Sequence, residues 1–388
     1  MKPIYTISIL ILLFILSCQS KSVAPFQIQI DSISKHWVPD KRIGICDIKV
    51  INGAGEQIIL KGESMFPQAK AEALKLFRNE GISIIDSVVI LPDTLASEKQ
   101  WALVNLSVAN IRSKPAHSSE MLTQAIMGTP MRVLKIFEGW VMVQTPDRYI
   151  GWTNKNAVQL MTYSEITHWQ KSPRMMYLRG DGSLFSDLSK TSVVSDLVAG
   201  AIVVMIDNHK RNIKVELPDG RTGFVSSQDW VNFNSWRDTV MLRSEPMITF
   251  GKQFMGFPYL WGGTSSKGMD CSGFVKTVCF LNGIILERDA SQQIHHGVEI
   301  DITQGYDKLQ KGDLLFFGSR TPYRVNHVGI YIGNSEVIHE SGNVHINSLE
   351  KSRTNFNPEL SANLVGARRI IGASAEQGIL PTRMHQWY

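Results

Sequence analysis

Alternating and helical spacings of apolar residues follow one another in the first quarter of this 388-residue chain. Arg42–Val50 and Gln57–Leu60 have the alternation and flanking turn residues of strands. Pro67–Arg78 is rich in Ala, Lys and Leu, which predicts a helix, and Ile82–Leu91 is strand-like again. We therefore predict a small α+β domain over residues 30–100.

An internal repeat with a constant offset of 72 residues occupies the middle of the chain. Val143–Trp152 matches Val215–Phe224, and each copy contains a Pro-Asp turn and ends in an aromatic residue after a glycine. Short strands separated by such turns are typical of small β-barrels, and two copies are too few for a solenoid. We predict two tandem barrels, at 101–160 and 161–235, that resemble bacterial SH3-like domains.

The last region, residues 240–388, begins with helical spacing and continues as a series of strands. Helices are predicted at Thr239–Phe254 and Phe274–Leu281, the second with an apolar face. The predicted strands are Asp313–Phe317, Val328–Ile332, Glu336–His339 and Leu364–Ile371. A helical start followed by an antiparallel sheet is an α+β arrangement.

The composition is that of a globular protein, with 43% hydrophobic and 19% charged residues. The formal net charge of +5 is mild and suits an anionic polymer of the cell envelope. No Lys/Arg block or basic helix indicates a nucleic-acid partner, so none is expected.

The N-terminus has the features of a secretion signal. The apolar run Ile4–Leu16 is too short to span a bilayer comfortably and has the length of a signal-peptide core. Ile15–Cys18 resembles a bacterial lipobox, which implies that 1–18 is a lipoprotein signal peptide and that Cys18 carries the lipid. Residues 19–29 would then be a tether. A plain secretory signal is the alternative.

Four cysteines occur, and apart from Cys18 only Cys271 has neighbouring residues that suggest a chemical role. Without Cys18 their number is odd and lacks close-paired spacing, which argues against a disulfide framework or a zinc ribbon. Cys46 and Cys279 fall on apolar faces and are expected in the core. Cys271 follows a Gly-rich stretch and is flanked by Asp and Ser, so it is the thiol that needs a functional reason.

A nucleophile and a base can be assigned from position alone. Cys271 is predicted at a helix N-terminus, where the dipole and free N–H groups would lower the pKa of its thiol. His327 opens a strand and is the expected base. A three-residue loop, Gly333–Ser335, pairs Gly329 with His339 and places both histidines on one face, whereas a two-residue loop would separate them. His339 would then fix the tautomer of His327.

The same residues leave one other chemistry open. Cys271, His327 and His339 could bind zinc by ligand type, although no water-activating Glu is placed beside them. In the thiol interpretation, the backbone N–H of Cys271 stabilises the oxyanion together with a second donor from Tyr259–Thr264. That interpretation requires no metal and no organic cofactor.

The motifs of the last region resemble those of the NlpC/p60 family of cell-wall cysteine peptidases. The matching segments are Tyr259–Gly263, Asp270–Gly273, Arg288–Gln293, Gly312–Phe317 and His327–Tyr331. The resemblance implies a papain-like peptidase domain over 240–388 with Cys271, His327 and His339 as catalytic residues. The predicted fold class is therefore multidomain, with two small all-β SH3-like barrels, an α+β papain-like cysteine peptidase domain and a small α+β N-terminal domain.

The two upstream barrels make the chain similar to γ-D-glutamyl-L-diamino acid endopeptidases, which trim murein peptides and require a free L-Ala amine. The first SH3-like domain of such enzymes helps to close the site. By this resemblance, Glu120 and Tyr149 of the first barrel would meet the amine. Tyr259, Asp270 and Ser272 would bind substrate from the peptidase domain.

The predicted function is hydrolysis of the bond between γ-D-Glu and the diamino acid of murein peptides with a free N-terminal L-Ala, releasing L-Ala-D-Glu. We expect a monomer, lipid-anchored in the cell envelope and facing the periplasm. A DL-endopeptidase of polymeric peptidoglycan, with the barrels as wall-binding modules, is the nearest alternative. A binding module with a decayed peptidase domain and a lipid acyl-transfer enzyme are the others.

Overall fold

The computed structural model describes most of the chain and divides it into two compact units. The described residues are 23–53, 57–94, 97–209 and 211–388. One unit contains the residues up to Pro39 together with Ile45–Ile90, and the other contains Asp40–Gly44 and Leu91–Tyr388. The predicted signal peptide and Cys18 lie outside the described residues. Within those residues, none of the helices is long and apolar enough to cross a membrane.

The first unit is a three-stranded sheet packed against two helices. Its elements are α1 (Ala24–Trp37), β1 (Cys46–Asn52), β2 (Ile58–Ser64), α2 (Pro67–Asn79) and β3 (Ile84–Ile90). The central strand β2 pairs antiparallel with β1 and parallel with β3. Ile30, Leu60 and Phe77 are fully buried in its core.

The start of this unit differs from the predicted tether. Residues 24–29 form the first turns of α1, because Phe26 stacks on Phe77 and Ile30 is buried beneath the helix. The predicted strands and the helix at Pro67–Arg78 do form, the first strand beginning only at Cys46.

The first barrel is a seven-stranded sheet with an apolar core. Its strands are β4 (Trp101–Val104), β5 (Val108–Arg112), β6 (Met121–Ile126), β7 (Pro130–Phe137), β8 (Trp140–Gln144), β9 (Ile150–Asn154) and β10 (Val158–Met161). They are ordered β10-β4-β7-β8-β9-β5-β6. Val104, Ile111, Val141 and Val143 are among its buried residues. Helix α3 (Tyr163–Lys171) follows, with a capping box at Thr162.

The second barrel repeats the first. Its strands are β11 (Arg174–Tyr177), β12 (Asp181–Phe185), β13 (Val193–Val198), β14 (Ile202–His209), β15 (Asn212–Glu216), β16 (Thr222–Ser226) and β17 (Trp230–Asn232). The order β13-β12-β16-β15-β14-β11-β17 is that of the first barrel seen from its other edge. Val143 pairs with Gly151 and Val215 with Gly223, so the duplicated sequence also keeps its register.

The last domain places helices on a six-stranded antiparallel sheet. The helices are α4 (Phe233–Thr239), α5 (Ser244–Gln253), α6 (Cys271–Phe280), α7 (Ala290–Gln293) and α8 (Pro358–Ala362). The strands are β18 (Thr264–Ser265), β19 (Gly268–Met269), β20 (Ile284–Ile285), β21 (Val298–Glu299), β22 (Leu314–Arg320), β23 (Tyr323–Gly333), β24 (Glu336–Ser341), β25 (Asn343–Ser348), β26 (Leu364–Arg369) and β27 (Leu380–Pro381). The main sheet is ordered β21-β26-β22-β23-β24-β25.

Helix α6 is the packing centre of this domain. Phe274 and Val278 of the helix are fully buried against Phe316 and Ile330 of the sheet. The predicted helix Thr239–Phe254 is wrong in its first turn, because Val240 is extended after α4 and α5 begins only at Ser244. Pro246 lies in the first turn of α5, where a missing N–H costs no hydrogen bond.

Candidate active site

Cys271 is the first residue of α6. Its side chain is 8% exposed, and its Sγ lies 3.9 Å from the carbonyl oxygen of Asn326, next to His327. Asp270 caps the helix, since its Oδ1 accepts from the backbone N–H of Gly273 at 2.8 Å. As the first helical residue, Cys271 has a backbone N–H without an intrahelical partner, and such a group can bind an oxyanion.

The hairpin between β23 and β24 brings the two histidines to one face. Gly329 pairs with His339, as predicted, but the loop is not the predicted one. The turn has two residues, Asn334 and Ser335, both in the left-handed conformation of a type I′ turn. An extra residue, Ile332, bulges out of the ladder between Tyr331 and Gly333 and restores the register that a two-residue turn alone would lose.

Gly329 is required by this arrangement. A Cβ on it would lie 2.9 Å from the Cβ of His339 and 2.6 Å from a methyl group of Val337. His339 therefore sits directly against the backbone of the neighbouring strand. His327, two residues before Gly329, shares that face.

A chain of hydrogen bonds assigns the protons on both rings. Asn347 Nδ2 donates to the carbonyl of Asn355, and Asn357 donates to Asn347 Oδ1, which fixes the amide orientation. His339 Nε2 therefore donates to Asn347 Oδ1 at 3.0 Å, and His339 Nδ1 accepts from His327 Nε2 at 2.9 Å. Nδ1 is then the basic nitrogen of His327. Asn347 was not foreseen from the sequence, since an asparagine on a polar strand carries no signal.

Burial favours the neutral forms of the thiol and the imidazoles. It raises the pKa of Cys271 to about 11, with a further contribution from Asp270. It lowers the pKa of His327 to about 3 and that of His339 to about 4. The prediction that the helix N-terminus would lower the pKa of Cys271 is therefore wrong for the free site, because desolvation outweighs the lowering of this pKa by the backbone N–H groups of Val328 and Ser272.

A buried ion pair supports the base of the site. The Arg288 side chain is 1% exposed, and its Nη1 donates to Asp270 Oδ1 at 3.0 Å and to Ser272 Oγ at 2.9 Å. Its Nε donates to Thr123 of the first barrel at 3.1 Å. Asp270 also accepts from the backbone N–H of Gly262 at 3.0 Å. Asp270 and Ser272 thus lie in the site, but the charge of Asp270 is already matched by Arg288.

One cleft of about 380 Å³ gathers most of the predicted site residues. They are Glu120, Tyr149, Tyr259, Asp270, Cys271 and Ser272. His327 and His339 line a neighbouring cleft of about 390 Å³, and Asn326 borders both. The first barrel and the peptidase domain therefore both contribute residues to the cleft next to the Cys271 thiol.

The end of the cleft formed by the first barrel is acidic. Tyr149 donates its hydroxyl to Asp289 Oδ2 at 3.1 Å, and Trp261 donates its indole N–H to Glu120 Oε1 at 3.1 Å. Burial raises the pKa of Tyr149, and raises that of Tyr259 to about 12, so both phenols remain hydrogen-bond donors at neutral pH. Asp289 was given no role from the sequence, although it stands in the Arg288–Gln293 motif.

The zinc alternative finds no support in the arrangement of side chains. Among the residues that the structure describes, no three His, Cys, Asp or Glu side chains gather in a way that could hold a metal ion. Cys46, Cys271 and Cys279 are all free thiols.

Comparison with known proteins agrees with this geometry. Residues 256–360 match the model of the NlpC/P60 family, and residues 111–158 match that of the bacterial dipeptidyl-peptidase SH3 domain. The chain is 30% identical over 274 residues to dipeptidyl-peptidase 6 of Lysinibacillus sphaericus, covering 68% of this chain and 97% of that protein. This chain belongs to the NlpC/P60 family.

Two further NlpC/P60 relatives come from Bacillus cereus. Gamma-D-glutamyl-L-lysine dipeptidyl-peptidase is 29% identical over 232 residues, covering 58% of this chain and 68% of that protein. A crystal structure of an NlpC/P60 family protein superposes with a TM-score of 0.61 at 25% identity, covering 70% of this chain and 99% of that one. The predicted family and fold class are thereby confirmed, and the chain is a hydrolase of a cysteine peptidase family that acts on peptidoglycan peptides.

Proposed function

We propose that this protein hydrolyses the amide bond between γ-D-Glu and the diamino acid of murein peptides whose N-terminal L-Ala is free, and releases L-Ala-D-Glu. The observation that carries the proposal is the acidic end of the cleft above Cys271, where Glu120, Tyr149 and Asp289 converge. A buried ammonium group needs anionic and hydrogen-bonding partners of this kind.

The amine is assigned to the carboxylates that keep negative charge available at this end of the cleft. Glu120 accepts from the neutral Trp261 indole. Asp289 accepts from the Tyr149 hydroxyl and pairs with Arg42, but Arg42 also pairs with Asp40, so these three charged groups together keep one negative charge. The charge of Asp270, which the family resemblance implies as a substrate-binding residue, is matched by Arg288. In our proposal Asp270 and Ser272 hold Arg288 and the start of α6, and through them the nucleophile.

The reaction begins with a neutral thiol and a neutral imidazole. Cys271 Sγ attacks the γ-carbonyl carbon of D-Glu while its proton passes to Nδ1 of His327. The resulting oxyanion accepts hydrogen bonds from the backbone N–H of Cys271 and the hydroxyl of Tyr259, which lines the same cleft. His327 then gives the proton to the leaving amine, the C–N bond breaks, and a thioester remains.

Water completes the cycle. His327 takes a proton from a water molecule, whose oxygen attacks the thioester carbonyl, and the thiol leaves with the proton returned through His327. The products are L-Ala-D-Glu and a peptide that begins at the diamino acid.

The acidic end of the cleft also explains the proposed selectivity for released peptides over the intact wall. In polymeric peptidoglycan the L-Ala nitrogen is an amide, which carries no charge and bears a bulky lactyl group. Placing it against Glu120 and Asp289 would leave the net negative charge at this end of the cleft without a cationic partner from the substrate. We therefore propose released peptides, rather than the intact wall, as substrates.

We further propose that the chain is a monomer held in the envelope by lipid on Cys18 and facing the periplasm. The lipobox-like sequence Ile15–Cys18 supports this. Labelling cells with a palmitate analogue tests it, because wild type should take up label and the Cys18→Ala variant should not. Label retained by the variant would reject the anchor.

The proposed activity is tested by mass spectrometry of digests of L-Ala-γ-D-Glu-L-Lys, its diaminopimelate counterpart and intact sacculi. Cys271→Ala should abolish cleavage, and Cys279→Ala, a second buried thiol on the same helix, should retain it. Activity retained in Cys271→Ala would reject the mechanism. Cleavage of sacculi at the rate of free peptides would favour the DL-endopeptidase alternative.

A further inference from the structure

A short segment far from the barrels in sequence reaches the acidic end of the cleft. Residues Asp40–Gly44, here called the strap, belong to the same compact unit as the barrels and the peptidase domain. The carbonyl of Arg42 accepts from the N–H of Ile150 at 2.9 Å, and that of Ile43 accepts from the Gln144 side chain at 3.2 Å. The strap therefore lies along β8 and β9, next to Tyr149, and outside both family-matched regions.

The side chain of Arg42 crosses from the strap to the peptidase domain. Its Nη1 donates to Asp289 Oδ2 at 2.8 Å and to Ser291 Oγ at 3.0 Å. Its Nε and Nη2 donate to Asp40, and Gln292 donates to the same Asp40 carboxylate at 3.0 Å. All three nitrogens of the guanidinium have partners, so Arg42 has little capacity left to bind a substrate carboxylate.

Two donors from different elements meet on one oxygen of Asp289. Arg42 Nη1 and the Tyr149 hydroxyl both reach Oδ2, and Arg42, Tyr149 and Asp289 all line the cleft. This holds the carboxylate in one rotamer. Because Asp40 pairs with Arg42, the guanidinium does not oppose a cationic ligand as an unpaired one would.

We propose that Arg42 is a positioning and specificity-determining residue, which orients Asp289 toward the N-terminal ammonium of the substrate and closes the cleft behind it. The strap thereby makes the acidic end a blind end, where an acylated or extended N-terminus finds neither space nor a partner. This assignment rests on the proposed function, so its test must separate the two.

Arg148 provides a matched control. It also joins the first barrel to the peptidase domain, through an ion pair with Glu287, but it is exposed and does not line the cleft. Steady-state kinetics of the full mature chain should therefore be measured for wild type, Arg42→Ala, Arg42→Lys and Arg148→Ala. The substrates are L-Ala-γ-D-Glu-L-Lys and its N-acetyl derivative.

Arg42→Ala should raise KM for the free peptide about tenfold with kcat nearly unchanged, and should narrow the preference for free over acetylated peptide, because one charged hydrogen bond to Asp289 is lost. The KM and the preference of Arg42→Lys should fall between those of Arg42→Ala and wild type. If the alanine variant does not fold, Arg42→Lys is compared with Arg148→Ala instead. Arg148→Ala should behave as wild type.

Equal effects of Arg42→Ala and Arg148→Ala on KM and on the preference would overturn the role of Arg42 while leaving the proposed function intact. A wild-type enzyme that cleaves both peptides equally would overturn the amine site itself, and the role of the strap with it.

Discussion

His339 Nδ1 accepts a hydrogen bond from the Nε2–H of His327 at 2.9 Å, and this contact leaves Nδ1 as the basic nitrogen of His327. The contact depends on His339 being protonated at Nε2, which Asn347 Oδ1 ensures. The neutral amide of Asn347 thus orients His339 directly and His327 through His339. The partner of His339 is a neutral amide and not a carboxylate, which agrees with the proposed role of His327 as a base that stays neutral until the thiol gives up its proton.

Replacing Asn347 should therefore lower kcat. In Asn347→Leu, His339 loses its Nε2 acceptor and both rings lose their fixed tautomer, so kcat should fall about tenfold or more while KM stays near that of wild type. Asn347→Asp should retain much of kcat, since it keeps an acceptor. Asn343→Ala, an exposed position on the same strand, is the control for steady-state kinetics. A change in KM alone would contradict this role.

The raised pKa of Cys271 predicts slow alkylation at neutral pH. Its thiolate should be rare at pH 7, so the rate of labelling by iodoacetamide should climb about tenfold per pH unit toward 11. Peptide mass spectrometry distinguishes Cys271 from the other cysteines. A labelling rate already constant above pH 5 would indicate a thiolate–imidazolium pair in the resting enzyme instead.

The acidic end of the cleft makes a prediction about KM. Asp289→Asn and Glu120→Gln remove charges that we assign to the substrate ammonium, so each should raise KM for L-Ala-γ-D-Glu-L-Lys about tenfold with a smaller effect on kcat. Glu287→Gln is the control, because Glu287 pairs with Arg148 and His296 away from the cleft. The assignment fails if all three variants have the same KM.

The buried carboxyl group of Glu340 should make the free energy of unfolding depend on pH. It is fully buried, and neither of its carboxylate oxygens has a hydrogen-bond partner among the described residues. Burial, and then Asp270, raises its pKa to about 8, so the folded state keeps a proton that the unfolded state releases above the ordinary glutamate pKa of 4.5. Stability from this group is therefore present below pH 4.5 and is lost as pH rises toward 8.

The Glu340→Gln variant should remove this dependence. Its free energy of unfolding at pH 8 should exceed that of wild type by on the order of 1 kcal/mol, and the gain should vanish at pH 4. Urea denaturation at the two pH values measures it. Glu376→Gln, at an exposed position, should show no such difference, and a gain of equal size at both pH values would exclude titration as the cause.

Much of this architecture could be predicted because it depends on local signals. The repeat at Val143 and Val215 predicts two barrels of the same topology, and strand parity predicts that His339 faces Gly329. The register is right even though the turn is two residues long, because the bulge at Ile332 compensates. The sequence Gly333–Ser335 does not by itself distinguish a three-residue loop from a two-residue turn that is preceded by a bulge.

The residues that were missed depend on distant contacts. Asn347 acts only because β25 lies beside β24, and Arg42 reaches Asp289 across 247 positions of sequence. The pKa of Cys271 depends on how deeply the completed fold buries the thiol, which a motif does not record. Helix position alone therefore predicts the wrong direction for that pKa.

In our proposal the cleft next to Cys271 binds the free N-terminal amine of the substrate. The most direct measurement is a competition digest of equimolar L-Ala-γ-D-Glu-L-Lys and its N-acetyl derivative, followed by mass spectrometry over time. We expect L-Ala-D-Glu to appear while the acetylated peptide remains intact. Loss of both peptides at the same rate would contradict the account.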